Sequence, residues 1–118
     1  NKTGMTTLTG IEPEMIANNI EPVYATHPGQ ILKDEIEYRG ISQRKLAAAM
    51  DVPYTLLNEV MNGKRPVNTE LALLIEATLD LPAEPLLRMQ ARYNLLTTKR
   101  NTKFIEKLNR TRKIAAVI

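Results

Sequence analysis

The stretch "SQRKLAAAMDVPYTLLNEVMNGKR", Ser42 to Arg65, constrains the fold more than any other part of this chain. It sets two short apolar patterns of helical period on either side of the break Asp51-Val52-Pro53. Ser42 fits an N-cap, and the helix behind it is expected to end near Met50. Leu46, Ala47 and Met50 then face inward, and the alanines at 47–49 are expected to let a neighbouring helix approach closely. Asp51 stands where the turn favours a left-handed residue, which Asp tolerates better than most. Pro53 cannot continue the helix, and Val52 is expected to fill the corner. The next helix is expected over Tyr54 to Asn62, stopped by Gly63, with Leu57, Val60 and Met61 as its buried stripe. That leaves Tyr54, Thr55, Asn58, Glu59 and Asn62 on its outer face.

The flanking sequence extends a helical pattern. Pro28 to Arg39 reads as a helix opened by proline at its first position and stopped by Gly40, with Leu32 and Ile36 inside and Ile31 beside them. Asn68 fits the cap of a helix running to Leu79, with Ala72, Ile75 and Leu79 inward. A further helix is expected to start between Pro82 and Pro85, where amide protons are unpaired anyway, and to run past Leu95. The tail "RNTKFIEKLNRTRKIAAVI" is also helical in pattern. Phe104, Ile105 and Leu108 form its apolar edge, with Lys103, Lys107 and Arg110 outside. Aromatics make up only 4% of the 118 residues, so the core must be aliphatic. The fold class is all-α. The expected organisation is an irregular tail over 1–27, a helical domain over 28–96 and a basic helical extension over 97–118. Within the tail, extended pieces around Ile20 to Tyr24 are the alternative to irregular chain.

Enzyme chemistry finds little to work with. The chain has one histidine, His27, one serine, Ser42, and no cysteine. Ser42 is already spent as a cap, and one imidazole without thiolates makes no zinc site. Neither GxxxxGK[ST] nor GxGxxG occurs, so no catalytic residue, cofactor or metal is expected. His27 is read as structural, fixing the start of the first helix. Gln90 and Tyr93 are read as packing and interface residues. No apolar run approaches the roughly 18 residues of a membrane helix. "NKTGMTTLTG" lacks the apolar core of a secretory signal, and a cytoplasmic setting is expected.

The net charge of +3 hides an uneven distribution. Residues 66–87 carry four carboxylates and no cation, whereas residues 88–113 carry nine Lys or Arg against Glu106 alone. The basic end reads either as a solvated helix face or as a footprint for nucleic acid or an acidic partner.

Two helices joined by a three- to four-residue turn fit a helix-turn-helix motif, with an ordinary helical hairpin as the alternative. Three local features favour DNA. Gln43-Arg44-Lys45 put cations at the positive end of a helix dipole, a cost that an incoming phosphate would offset. A capping box would have placed Glu at 45. The following helix offers Asn58 for a paired contact to adenine, and Tyr54 and Thr55 for a base or a thymine methyl. Two roles are open to Glu59: accepting from cytosine, or pinning a neighbouring Arg. Asn62 ends the same polar face. Lys64 and Arg65 follow at once, within reach of phosphate.

With these residues in view, the chain resembles the HigA-type antitoxins, a branch of the lambda-repressor-like (XRE) helix-turn-helix family, over about Ile20 to Leu95. "THPGQIL" at 26–32, "LNEVMNGKRPV" at 57–67 and "MQARYNL" at 89–95 carry the likeness, in that order. The resemblance implies a bacterial five-helix DNA-binding domain acting as a homodimer. It implies repression of its own operon through a double-stranded DNA operator, and neutralisation of a HigB/RelE-type mRNA-cleaving toxin. The family's DNA-contacting positions fall on Gln43, Tyr54, Thr55 and Asn58, with Lys64 and Arg65 behind. Leu56 departs from the basic residue that relatives often carry, Asp51 from the usual turn glycine, and Pro85-Leu86 from an aromatic pair. The acidic stretches 12–21 and 70–84 are the surfaces expected to suit a basic toxin. A stand-alone repressor, and an interaction module without DNA binding, are the two alternatives.

Overall fold

The computed structural model describes residues 25–118, and the expectations for the tail before Ala25, including extended pieces around Ile20 to Tyr24, lie outside them. The described residues form six helices and no strand: α1 (Pro28–Arg39), α2 (Gln43–Met50), α3 (Tyr54–Met61), α4 (Thr69–Leu79), α5 (Ala83–Lys99) and α6 (Thr102–Ala115).

The helix boundaries follow from local chemistry. Ser42 Oγ accepts from the Lys45 amide and Asn68 Oδ1 from the Leu71 amide, each satisfying a first-turn donor. Asp51 ends α2 in the left-handed conformation, φ 55° and ψ 48°, as the turn demands. Asp80 does the same after α4, at φ 60°, a second use of the device that the sequence reading did not single out. Arg39 reinforces this end of α4 by donating to the Leu79 carbonyl at 2.7 Å. The α3 helix stops at Met61, one residue short of expectation, because Asn62 is already its C-cap and Gly63 turns left-handed at φ 74°. The α5 helix begins at Ala83, with Pro82 as N-cap and Pro85 in the first turn.

The core is a single aliphatic cluster. Leu32 and Ile36 of α1, Leu46, Ala47 and Met50 of α2, and Leu57, Val60 and Met61 of α3 meet Leu71, Ala72, Ile75 and Leu79 of α4 and Leu86 of α5. Burying each Leu or Ile side chain contributes roughly 1.5–3 kcal/mol. Val52 packs partly buried against this cluster, at the corner expected of it. Ala48 and Ala49 point outward, contrary to expectation, and only Ala47 lies at a close helix contact. The α2 helix has a narrow inner stripe, so three successive residues cannot all share it.

His27 pins the α1 start to the rest of the domain. Its Nδ1 accepts from the Gly29 amide at 2.9 Å, and its ring meets Tyr93 of α5 edge to face at 4.8 Å. The other nitrogen then carries the proton, and the ring hydrogen-bonds the Arg65 backbone just beyond α3. Gly29 is needed for a close approach: a Cβ there would overlap the Val60 carbonyl oxygen. The "HPG" sequence thus fixes α1 directly against the last turn of α3. In contrast, α6 packs against α5 and contributes no buried residue.

Candidate nucleic-acid interface

The α3 helix packs its apolar stripe against α1 and α2. Its polar face is left bare by the described residues. Tyr54, Thr55 and Asn62 are exposed, and Asn58 and Glu59 are half-buried.

The structure joins these residues to α2. Asn58 donates its side-chain amide to Gln43 Oε1 at 3.1 Å, and Asn62 donates to Asn58 Oδ1 at 3.1 Å. Gln43, Asn58 and Asn62 therefore form one polar chain across the turn, with the Asn62 carbonyl and the Gln43 amide group at its ends. Such a chain fixes the rotamers of side chains that would otherwise lose entropy on meeting a base edge. This linkage requires α2 and α3 to be placed in three dimensions. Sequence spacing alone gives the two residues as separate candidates.

Arg44 stacks its guanidinium over the Tyr54 ring, 4.4 Å from the centroid. The pair holds a cation at the α2 N-terminus and an aromatic edge at the α3 N-terminus. Arg65 forms an ion pair with Glu59 at 2.8 Å, which settles the choice of roles for Glu59 in the free protein. Lys45 and Lys64 are exposed and take no part in an ion pair among the described residues. All eight candidate residues thus lie on or beside the α2–α3 unit. Thr55 and Lys64 join it through neither of the contacts above. Leu56 faces elsewhere. It is half-buried against the core and lines a groove with Val52, Leu71 and Leu74, so this position serves packing.

Sequence reasoning missed the cleft beside α3 and the hydrogen bond made by Gln90, which it reads only as a packing and interface residue. Gln30 and Lys33 of α1 line a polar cleft with His27, Asn62 and Tyr93 beside the end of α3. Gln90, buried in α5, accepts from the Val67 amide at 2.8 Å and so holds the segment that follows Lys64 and Arg65. No group of His, Cys, Asp or Glu among the described residues has a metal-ligating arrangement. Among the described residues, no helix is long and apolar enough to cross a membrane.

Comparison with known proteins agrees with this geometry. A helix-turn-helix family model matches residues 32–86. Antitoxin HigA of Pseudomonas aeruginosa, solved with the higBA promoter, is 30% identical with a TM-score of 0.64, covering 71% of this chain and 94% of that one. An addiction module antidote protein of the HigA family from Coxiella burnetii is 28% identical with a TM-score of 0.62, covering 72% and 95%. Virulence-associated protein A' of Dichelobacter nodosus is 36% identical over 70 residues, 58% of this chain and 61% of that protein's length.

Proposed function

This chain belongs to the HigA-type branch of the XRE helix-turn-helix antitoxins, and from that membership we propose that it binds its own operator as a homodimer, represses its operon and neutralises a HigB/RelE-type mRNA-cleaving toxin. The bare polar face of α3, tied to α2 through Asn58 and Gln43, is the observation that carries the reading.

The division of labour follows from the chemistry of each side chain. Asn58 offers a paired donor and acceptor to an adenine edge, and Tyr54 and Thr55 read a neighbouring base or thymine methyl. Asn62 continues that face. Gln43, Arg44, Lys64 and Arg65 contact phosphate and fix register without reading sequence. Arg65 reaches phosphate by leaving Glu59, an exchange between partners that costs little because the pair is exposed to water.

Two copies related by a twofold axis would set their α3 helices in successive major grooves, about 34 Å apart. The exposed Leu95 of α5 and Phe104 and Ile105 of α6 contribute to the pairing surface. The setting is cytoplasmic, where both operon and toxin reside.

A reporter fused to the chain's own upstream DNA tests the repression arm. Co-expression with a HigB/RelE-type reading frame found beside its gene tests the other. Repression together with relief of growth arrest is the expected result. An active reporter beside a folded, expressed chain would overturn the first arm, and unrelieved arrest the second.

A further inference from the structure

The α6 helix lacks an obvious place in its own domain. It is 14 residues long, about 21 Å at the α-helical rise, yet buries none of them. Phe104 and Ile105 remain 40% and 37% exposed, with Leu108 half-buried between them on one edge. Lys103, Lys107 and Arg110 run along one flank of that edge at i, i+4 and i+7.

Charge disfavours the simplest partner, a second α6. Five cations against Glu106 give each copy a net positive helix, and two such helices side by side would repel. An acidic element that presents apolar surface of its own is the better match.

The outer side of α4 meets both conditions. Glu70, Leu73, Ala77 and Asp80 recur at i, i+3, i+7 and i+10, so they share one stripe, and all four are exposed. Glu76 beside them is engaged within its own domain, its Oε1 accepting from the Ala83 amide at 2.8 Å. Leu73 keeps 55% of its surface in solvent although it sits mid-helix. The helix and its cap hold no Lys or Arg, and neither Glu70 nor Asp80 is in an ion pair among the described residues. Lys103 to Arg110 spans about 10 Å, so the α6 edge covers about two thirds of α4, whose 11 residues span about 16 Å.

We infer that α6 of one copy docks on the outer side of α4 of a second copy. Phe104, Ile105 and Leu108 cover Leu73 and Ala77, while Lys103, Lys107 and Arg110 face Glu70 and Asp80. Apolar burial supplies the attraction, and the charges fix which faces meet. The inference rests on the homodimer reading and specifies its contact. A basic toxin could satisfy the acids of α4, but it does not explain why the complementary apolar edge is carried by this same chain.

The absence of native cysteine makes the contact directly testable in the full chain. Leu73→Cys and Leu108→Cys are prepared separately, mixed and treated with a short bis-maleimide. The expected result is a covalent dimer in the mixture and little in either variant alone. A second measurement is sedimentation of K103E/K107E and of E70K/D80K. Each is expected to weaken self-association at least tenfold, and mixing the two is expected to restore it.

Linkage of Leu108→Cys to itself would overturn the proposal in favour of α6 pairing. So would charge reversals that leave a dimer intact, and the homodimer reading would then survive. A wild-type chain that sediments as a monomer would sink both. Charge reversals in α6 that weaken operator binding without changing oligomeric state would assign the helix to phosphate instead.

Discussion

Asn58 of α3 donates its side-chain amide to the Gln43 oxygen of α2, so the two helices of the motif share one hydrogen-bonded polar surface. Asn62 extends it by donating to Asn58. The side chain proposed to read a base is therefore held before DNA arrives, which makes Asn58 the first residue to mutate.

Replacing Asn58 with Ala is expected to cost about 1–3 kcal/mol on the cognate operator and to blur preference at one base position. Anisotropy titrations across single-base operator variants check this. The melting temperature should change little, since the side chain is half-solvated and its partners can turn to water. A base preference that survives intact would remove Asn58 from the reading surface.

Arg44→Ala should behave differently. Loss of one phosphate contact weakens all sequences alike and lowers the slope of log K against log salt by about 0.9. The Tyr54 ring also loses the cation stacked on it, so the NMR shifts of the Tyr54 ring protons give a second readout. Selective loss on one operator variant would contradict a phosphate role.

Much of this surface was legible in sequence because its determinants are local. Ser42, Asn68 and Asp51 act within a few residues of themselves, and each does what its type and position imply. The outward face of α3 follows from period alone. Long-range pairings were not legible. Nothing in the spacing of Gln43 and Asn58, Arg44 and Tyr54, or Val67 and Gln90 says that they touch; the crossing of α2, α3 and α5 decides it. The alanine run misled for a related reason, since composition suggests closeness while the helix phase turns Ala48 and Ala49 to solvent.

Gln90→Leu should destabilise the fold by about 1–3 kcal/mol, because the buried Val67 amide would lose its acceptor. Urea denaturation measures it. Gly29→Ala should cost about as much or more, since its Cβ would force α1 away from the Val60 carbonyl. Wild-type midpoints for both would show that these contacts are not formed in solution.

His27 gives the fold a pH dependence of known sign. Burial disfavours the imidazolium and lowers its pKa from 6.5, partly opposed by the hydrogen bond to the Arg65 backbone. As pH falls the unfolded chain takes up the proton first. Its contribution to stability is complete above 6.5 and is lost as pH falls through the lowered folded value. Protonation would also remove the Nδ1 acceptor from the Gly29 amide. Urea midpoints of wild type and His27→Asn, compared between about pH 7.5 and pH 5, should show a fall in the wild type that the variant lacks. A parallel fall in both would assign the loss to carboxylates elsewhere.

The most direct test of the account is competition between the chain's own upstream DNA and a scrambled duplex of equal length and composition, at about 0.15 M salt. The account predicts a preference of about 10³-fold or more for the upstream DNA. Equal affinity for the two duplexes, from a folded wild-type chain, would contradict it.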